Sequence, residues 1–164
     1  MPGSLVVLAE RLQGVCLGRG LTVALAESCT GGLVAAAITD VAGSSGYFLG
    51  GVVAYANRAK EGLLGVPAPA LAAHGAVSAQ VAKAMAQGTR SRFGADIAAA
   101  ITGIAGPDGG SAEKPVGLVY VGLARDGAVE VRRLQLAGDR PAIREGAARA
   151  ALEWLVEAAE GARR

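Results

Sequence analysis

Apolar residues recur at helical spacing from the start of the chain. Leu5, Leu8, Leu12, Val15 and Cys16 share one face, Glu10, Arg11, Gln13 and Arg19 take the rest, and Gly18 and Gly20 follow, so the chain opens with an amphipathic helix. From Leu21 to Ala26 the pattern changes to an almost unbroken apolar run of strand length, expected where a strand is buried on both faces. Gly31-Gly32 then begins an apolar, helix-like segment that lasts to about Thr39. A Gly43-Ser44-Ser45-Gly46 loop leads to a second strand, Phe48 to Tyr55, and a short helix over Asn57–Leu64 that Pro67 cannot continue.

A longer helix is expected from Ser78, whose hydroxyl suits an N-cap, with Val81, Ala84, Met85 and Gly88 on one face and Gly94 at its end. Ala95 to Ile101 is again continuously apolar and empties into a glycine-dense loop, Thr102 to Gly110. Val116–Ala124 and Val129–Leu136 flank Arg125-Asp126-Gly127-Ala128, and an Asp-Gly step between two β-rich runs predicts an antiparallel hairpin. The chain closes on a helix that follows an Asp139 N-cap, with Ile143, Ala147, Ala150, Trp154, Leu155 and Ala158 at helical spacing and Glu145, Arg149 and Glu153 on the wet side. With no internal repeat and no linker, residues 1–164 are expected to form a single three-layer-like α/β domain, a mixed β-sheet flanked by helices.

Composition sharpens this picture. Hydrophobic residues make up 52% of the chain and charged ones only 18%, which excludes a disordered polymer. Much of the apolar content is Ala, with 25 Gly and 4% aromatics, so the core must rely on close backbone approach more than on bulky side chains. A net charge of +2 without basic blocks or basic-aromatic alternation argues against nucleic acid as a partner. The absence of a long apolar run and of a basic leader predicts a cytoplasmic chain that meets no membrane. Two cysteines and one histidine cannot build a His-rich metal site, and they fit reduced thiols in a cytosolic protein.

Candidate chemistry gathers at the two strand-to-loop junctions. Ser28, Cys29 and Thr30 stand between a buried strand and the helix that follows Gly31-Gly32, where first-turn amides favour an anion or a nascent oxyanion. The bland alternative is a helix cap. A hydroxyl nucleophile needs a base, and His74, at an apparent helix end, is a poor one. Lys60, in Tyr55-Ala56-Asn57-Arg58-Ala59-Lys60, is better placed, provided that burial or a neighbouring cation such as Arg58 lowers its pKa. Cys29 is a weaker nucleophile candidate because only His74 could serve it as an imidazolium partner. The Thr102–Gly110 loop has the glycine content of an anion cradle but matches neither a P-loop nor a dinucleotide fingerprint.

Five segments carry a resemblance: AESCTGG (26–32), YANRAKEGLLGV (55–66), HGAVS (74–78), TGIAGPDGGSAEKPVG (102–117) and GDR (138–140). They resemble the C-terminal domain of the competence-damage-inducible CinA family, which also exists as the stand-alone enzyme nicotinamide-nucleotide amidohydrolase. The resemblance runs from the first strand to the last helix. It implies an α/β homodimer without metal or cofactor that deamidates nicotinamide mononucleotide to nicotinate mononucleotide and ammonia in pyridine-nucleotide salvage. It places the family's catalytic serine, lysine and tyrosine on Ser28, Lys60 and Tyr55. Expected substrate contacts are Thr30, Gly31, Gly32, Asn57, Thr102, Gly103, Gly106 and Arg140. Long CinA proteins add an N-terminal molybdopterin-binding-like domain, whose pyrophosphatase activity is expected to be absent here. The competing expectation is a non-catalytic nucleotide-binding module associated with competence or DNA damage.

Overall fold

The computed structural model describes residues 3–162. Its elements are α1 (Gly3–Arg19), β1 (Val23–Glu27), α2 (Leu33–Thr39), a 3-10 turn at Ser44–Gly46, β2 (Phe48–Val53), α3 (Asn57–Leu64), α4 (Ala68–His74), α5 (Ala79–Phe93), β3 (Ile97–Gly103), β4 (Leu118–Arg125), β5 (Ala128–Gln135) and α6 (Arg140–Glu160). The five strands form one mixed sheet in the order β2-β1-β3-β4-β5. β1 runs parallel to both β2 and β3, whereas β4 pairs antiparallel with β3 and with β5. This is the α/β architecture expected from the alternating apolar patterns.

Side-chain alternation divides the core between the two faces of the sheet. Leu25, Ala99 and Ile101 join α1, α2 and α6 in one apolar cluster, while Ala26 and Ala100 join Val81, Met85 and Leu64 of the α3–α5 side in the other. Alanine at these positions keeps the helices close. At Gly122 of β4 an added Cβ would lie 2.5 Å from the Ala82 carbonyl oxygen of α5, so the near-absence of large aromatics has a geometric counterpart.

Several sequence signals map directly onto local contacts. Ser78 Oγ accepts the Val81 amide and caps α5, and Asp139 Oδ1 accepts the Ala142 amide and caps α6. The hairpin turns tightly at Asp126-Gly127, with Gly127 at φ +70°. Boundaries near the junctions differ from the pattern. β1 extends to Glu27 and β2 stops at Val53, because the carbonyls of Ala54 and Tyr55 leave the ladder to accept from a side chain described below. Gly31 and Gly32 adopt φ +59° and +104° in a turn, and α2 begins only at Leu33. Asn57 is the first helical residue of α3 rather than its cap, a position held by Ala56.

The topology fixes where a ligand can sit. The chain leaves β1 through α2 to reach β2 on one side, and returns through α3–α5 to β3 on the other side of β1. Such a reversal opens a crevice at the carboxyl ends of the parallel strands. α3 is held above it by α5, whose Gly88 lies so close to the end of α3 that an added Cβ would meet the Leu64 carbonyl oxygen. On helix propensity alone Gly88→Ala would stabilise α5 by about 1 kcal/mol. Overpacking against backbone costs about 1–3 kcal/mol or more, so Gly88→Ala is expected to lower stability in urea denaturation. An equal or higher midpoint would contradict this packing.

Candidate active site

The crevice is a cleft of about 260 Å3, lined by the ends of three strands and their neighbours: Ser28 and Cys29 after β1, Tyr55 after β2, Thr102 to Gly106 at the end of β3, Ala76 and Val77 before α5, Lys60 of α3 and Arg140 of α6. A larger groove of about 510 Å3 between α5 and the β4–β5 hairpin, lined by Lys83, Arg90 and Arg125 among others, has no buried nucleophile. The chemistry therefore concentrates in the smaller cleft.

Lys60 and Leu64 point inward from α3 one turn apart, so the same helical face that buries a leucine also buries an amine. Lys60 is 1% exposed. Its Nζ lies 3.0 Å from Ser28 Oγ, 2.9 Å from Ala54 O and 2.9 Å from Tyr55 O. None of these partners is anionic, and burial lowers the Lys60 pKa from its ordinary value, with the neighbouring Cys29 acting weakly the other way. Arg58, on the exposed side of α3, is not among the causes. The two carbonyls can only accept, whereas the Ser28 hydroxyl can accept from Lys60 or, once the amine is neutral, donate to it.

The turn that carries Ser28 is held from both ends. Glu27, buried at the tip of β1, accepts the amides of Val34 and Ala35 through its two oxygens at 3.0 Å each, so a carboxylate already occupies the start of α2. On the opposite flank Arg144 of α6 donates to Cys29 O at 3.1 Å and to Thr30 O at 2.9 Å. The Gly31 amide donates back to Ser28 O at 3.0 Å.

The expected site residues divide accordingly. Ser28, Lys60, Tyr55, Thr102, Gly103, Gly106 and Arg140 come together around the cleft. Arg140 donates to Gly106 O at 2.7 Å and to the Tyr55 hydroxyl at 3.2 Å, bridging the glycine loop and β2. Thr102 Oγ1 donates to Ala76 O. Thr30, Gly31, Gly32 and Asn57 do not line the cleft: Thr30 is wholly buried with its hydroxyl unpartnered, and Asn57 is exposed. His74 also lies outside the lining, and its carbonyl caps α4 by accepting from Lys114 Nζ.

The same arrangement has known relatives. The family model for the CinA C-terminal domain matches residues 6–159. The chain belongs to the CinA C-terminal domain family. It is 62% identical over 137 residues to a CinA-like protein of Geobacter sulfurreducens, covering 84% of this chain and 33% of that protein. It is 56% identical over 147 residues to a putative competence-damage inducible protein of Moorella thermoacetica, covering 89% and 36%. The chain thus spans about a third of the length of these curated relatives. Among solved structures it superposes on the competence/damage inducible protein CihA from Agrobacterium tumefaciens with a TM-score of 0.92 at 47% identity, covering 96% of each chain. The competence damage-inducible protein A from Klebsiella pneumoniae gives 0.93 at 36% identity, covering 97% of this chain and 99% of that one.

In this CinA-family chain the sequence left Glu27 without a role and did not single out Arg144. A signal for Arg144 existed, since it follows Arg140 by one helical turn and so shares its face. Among the described residues no group of three or more His, Cys, Asp or Glu is placed to hold a metal ion, and no helix is long and apolar enough to cross a membrane.

Cys29 lines the cleft, yet burial pushes its thiol up to about 11, only partly offset by its own backbone and by Arg144. Cys16, in the core, is pushed up to about 12 by burial with Asp96 adding to it. Because the thiolate is the reactive form, iodoacetamide at pH 7 is expected to leave both cysteines unmodified in the folded protein and to alkylate both after denaturation, as read by mass spectrometry. Rapid alkylation of folded Cys29 would contradict its assignment as a packing residue.

Proposed function

We propose that this chain is an amidohydrolase that deamidates nicotinamide mononucleotide to nicotinate mononucleotide and ammonia, with Ser28 as nucleophile and Lys60 as base. The observation that carries the proposal is the buried Lys60 amine, within hydrogen-bond distance of Ser28 Oγ and without an anionic partner among the described residues. A lysine kept only for structure would be expected to pair with a carboxylate or to reach solvent.

In the proposed reaction neutral Lys60 takes the Ser28 proton as Oγ bonds to the carboxamide carbon. The amide of Cys29, the residue after the nucleophile and part of the cleft lining, supplies a donor for the oxyanion. Collapse of the tetrahedral intermediate breaks the carbon–nitrogen bond, and Lys60 returns the proton to the departing ammonia. Water, deprotonated by the same amine, then cleaves the acyl ester. The fixed positive charge of the substrate's pyridinium ring further disfavours protonated Lys60. Arg140 has spent two of its five N–H donors on Gly106 and Tyr55, and with the Gly103–Gly106 backbone it supplies the cation for the substrate phosphate. Tyr55 contributes its carbonyl to Lys60 and its hydroxyl to Arg140.

Ammonia release from nicotinamide mononucleotide tests the proposal. Lys60→Met is expected to lower the rate by about 10²–10⁴-fold, and Ser28→Ala by at least as much, whereas Cys29→Ala should turn over at close to the unmodified rate. Full activity of folded Ser28→Ala, or loss confined to Cys29→Ala, would reject the assignment. Binding without turnover in the unmodified protein would favour a non-catalytic module. Because the base must be neutral, kcat/KM should rise with pH along a limb whose midpoint lies below the ordinary lysine value of 10.5. A limb centred at that ordinary value would contradict the burial argument.

A further inference from the structure

Arg144 lies outside the cleft lining, yet it makes the only side-chain hydrogen bonds, among the described residues, to the carbonyls of the nucleophile turn. Nε meets Cys29 O and Nη2 meets Thr30 O, two contacts from one planar fork that a lysine cannot reproduce. A trans peptide points its N–H opposite to its C=O. Fixing these carbonyls therefore fixes the amides of Thr30 and Gly31 in the direction away from α6. The Gly31 amide shows where that direction leads, since it donates to Ser28 O at 3.0 Å. Arg144 thereby reaches the nucleophile through one peptide, since the Thr30 carbonyl that it holds belongs to the same peptide as the Gly31 amide bound to Ser28 O.

Glu27 limits the remaining freedom of the turn. It takes the amides of Val34 and Ala35, and Leu33 donates to the same Thr30 carbonyl that Arg144 holds. Gly31 is required at the crowded point: its φ is +59°, and an added Cβ would lie 3.2 Å from Arg144 Nη2. The turn is thus set by two charged side chains, of which only Arg144 acts on the peptide next to the nucleophile.

We infer that Arg144 is a positioning residue for catalysis, whose two-point grip on the Cys29 and Thr30 carbonyls fixes the turn that presents Ser28 Oγ to Lys60 Nζ and to the substrate carbon. It touches no substrate atom and neither supplies nor removes the proton that Lys60 handles. This inference rests on the proposed serine chemistry, and it predicts a defect in the attack by Ser28 without a defect in binding.

The test uses two reactions of the full chain and its Arg144→Lys and Arg144→Ala variants: ammonia release from nicotinamide mononucleotide, and covalent capture of Ser28 by a fluorophosphonate, followed by mass spectrometry. Misplacement of a reacting group by about 1 Å can cost about 10²-fold, and a fall approaching that size is expected for both kcat and the capture rate in Arg144→Ala. KM and the midpoint of the pH limb should stay near those of the unmodified chain. Arg144→Lys should remain impaired although the charge is kept, and added guanidinium ion should partly restore Arg144→Ala. A capture rate equal to that of the unmodified chain in either folded variant overturns the inference, as does a loss confined to KM. If Arg144→Ala does not fold, Arg144→Lys decides by the same criteria. An unmodified chain that captures fluorophosphonate at Ser28 but releases no ammonia refutes the proposed substrate and leaves Arg144 to be judged on capture; one that does neither refutes both.

Discussion

The site depends on an amine kept away from water. Lys60 Nζ is enclosed by two carbonyls and one hydroxyl, none of which carries the negative charge that would offset burial of an ammonium ion. The fold makes room for this by ending β2 early, so that the Ala54 and Tyr55 carbonyls turn from the sheet ladder to Lys60. Its consequence for stability has a definite sign. The folded chain holds the Lys60 proton less tightly than the unfolded chain does, so between the folded value and 10.5 the unfolded state binds more protons, and this residue's contribution to stability rises with pH. At neutral pH the buried amine is a liability that the surrounding core offsets.

The serine side of the pair is governed by charges of opposite sign on either flank of one turn. Glu27 secures the start of α2 and Arg144 secures the carbonyls of Cys29 and Thr30. With the Glu27 carboxylate on the first amides of α2, the cation nearest the glycine loop is Arg140, on the cleft itself. The alanine-rich strands, with Gly122 of β4 against α5 and Gly88 of α5 against α3, let α3 and α5 pack closely on one face of the sheet, so that Lys60 reaches the turn that Arg144 of α6 holds from the other face.

Much of this was legible in the sequence because it is local. The continuous apolar runs before Ser28 and Thr102 marked the buried parallel strands, Asp126-Gly127 marked the hairpin, and Ser78 and Asp139 capped the helices that their chemistry suggested. Ser28 and Lys60 were candidates because each sits at a junction between elements, whereas Tyr55 became one only through the family resemblance. Glu27 and Arg144 escaped because their partners are set by packing. Glu27 reads as the last residue of a strand until α2 folds back over it, and Arg144 reads as one more arginine on an amphipathic helix until α6 docks 115 residues away from Cys29. Thr30 and Asn57 show the converse, since polar residues beside a motif need not face its cleft.

The protonation state of Lys60 can be measured directly. The chain has only three lysines, Lys60, Lys83 and Lys114, so side-chain NMR of protein labelled at lysine gives three resolvable titrations. The resonance that is absent from Lys60→Met is predicted to titrate below 10.5. A Lys60 resonance that titrates at the ordinary lysine value or above it would contradict the account at its foundation.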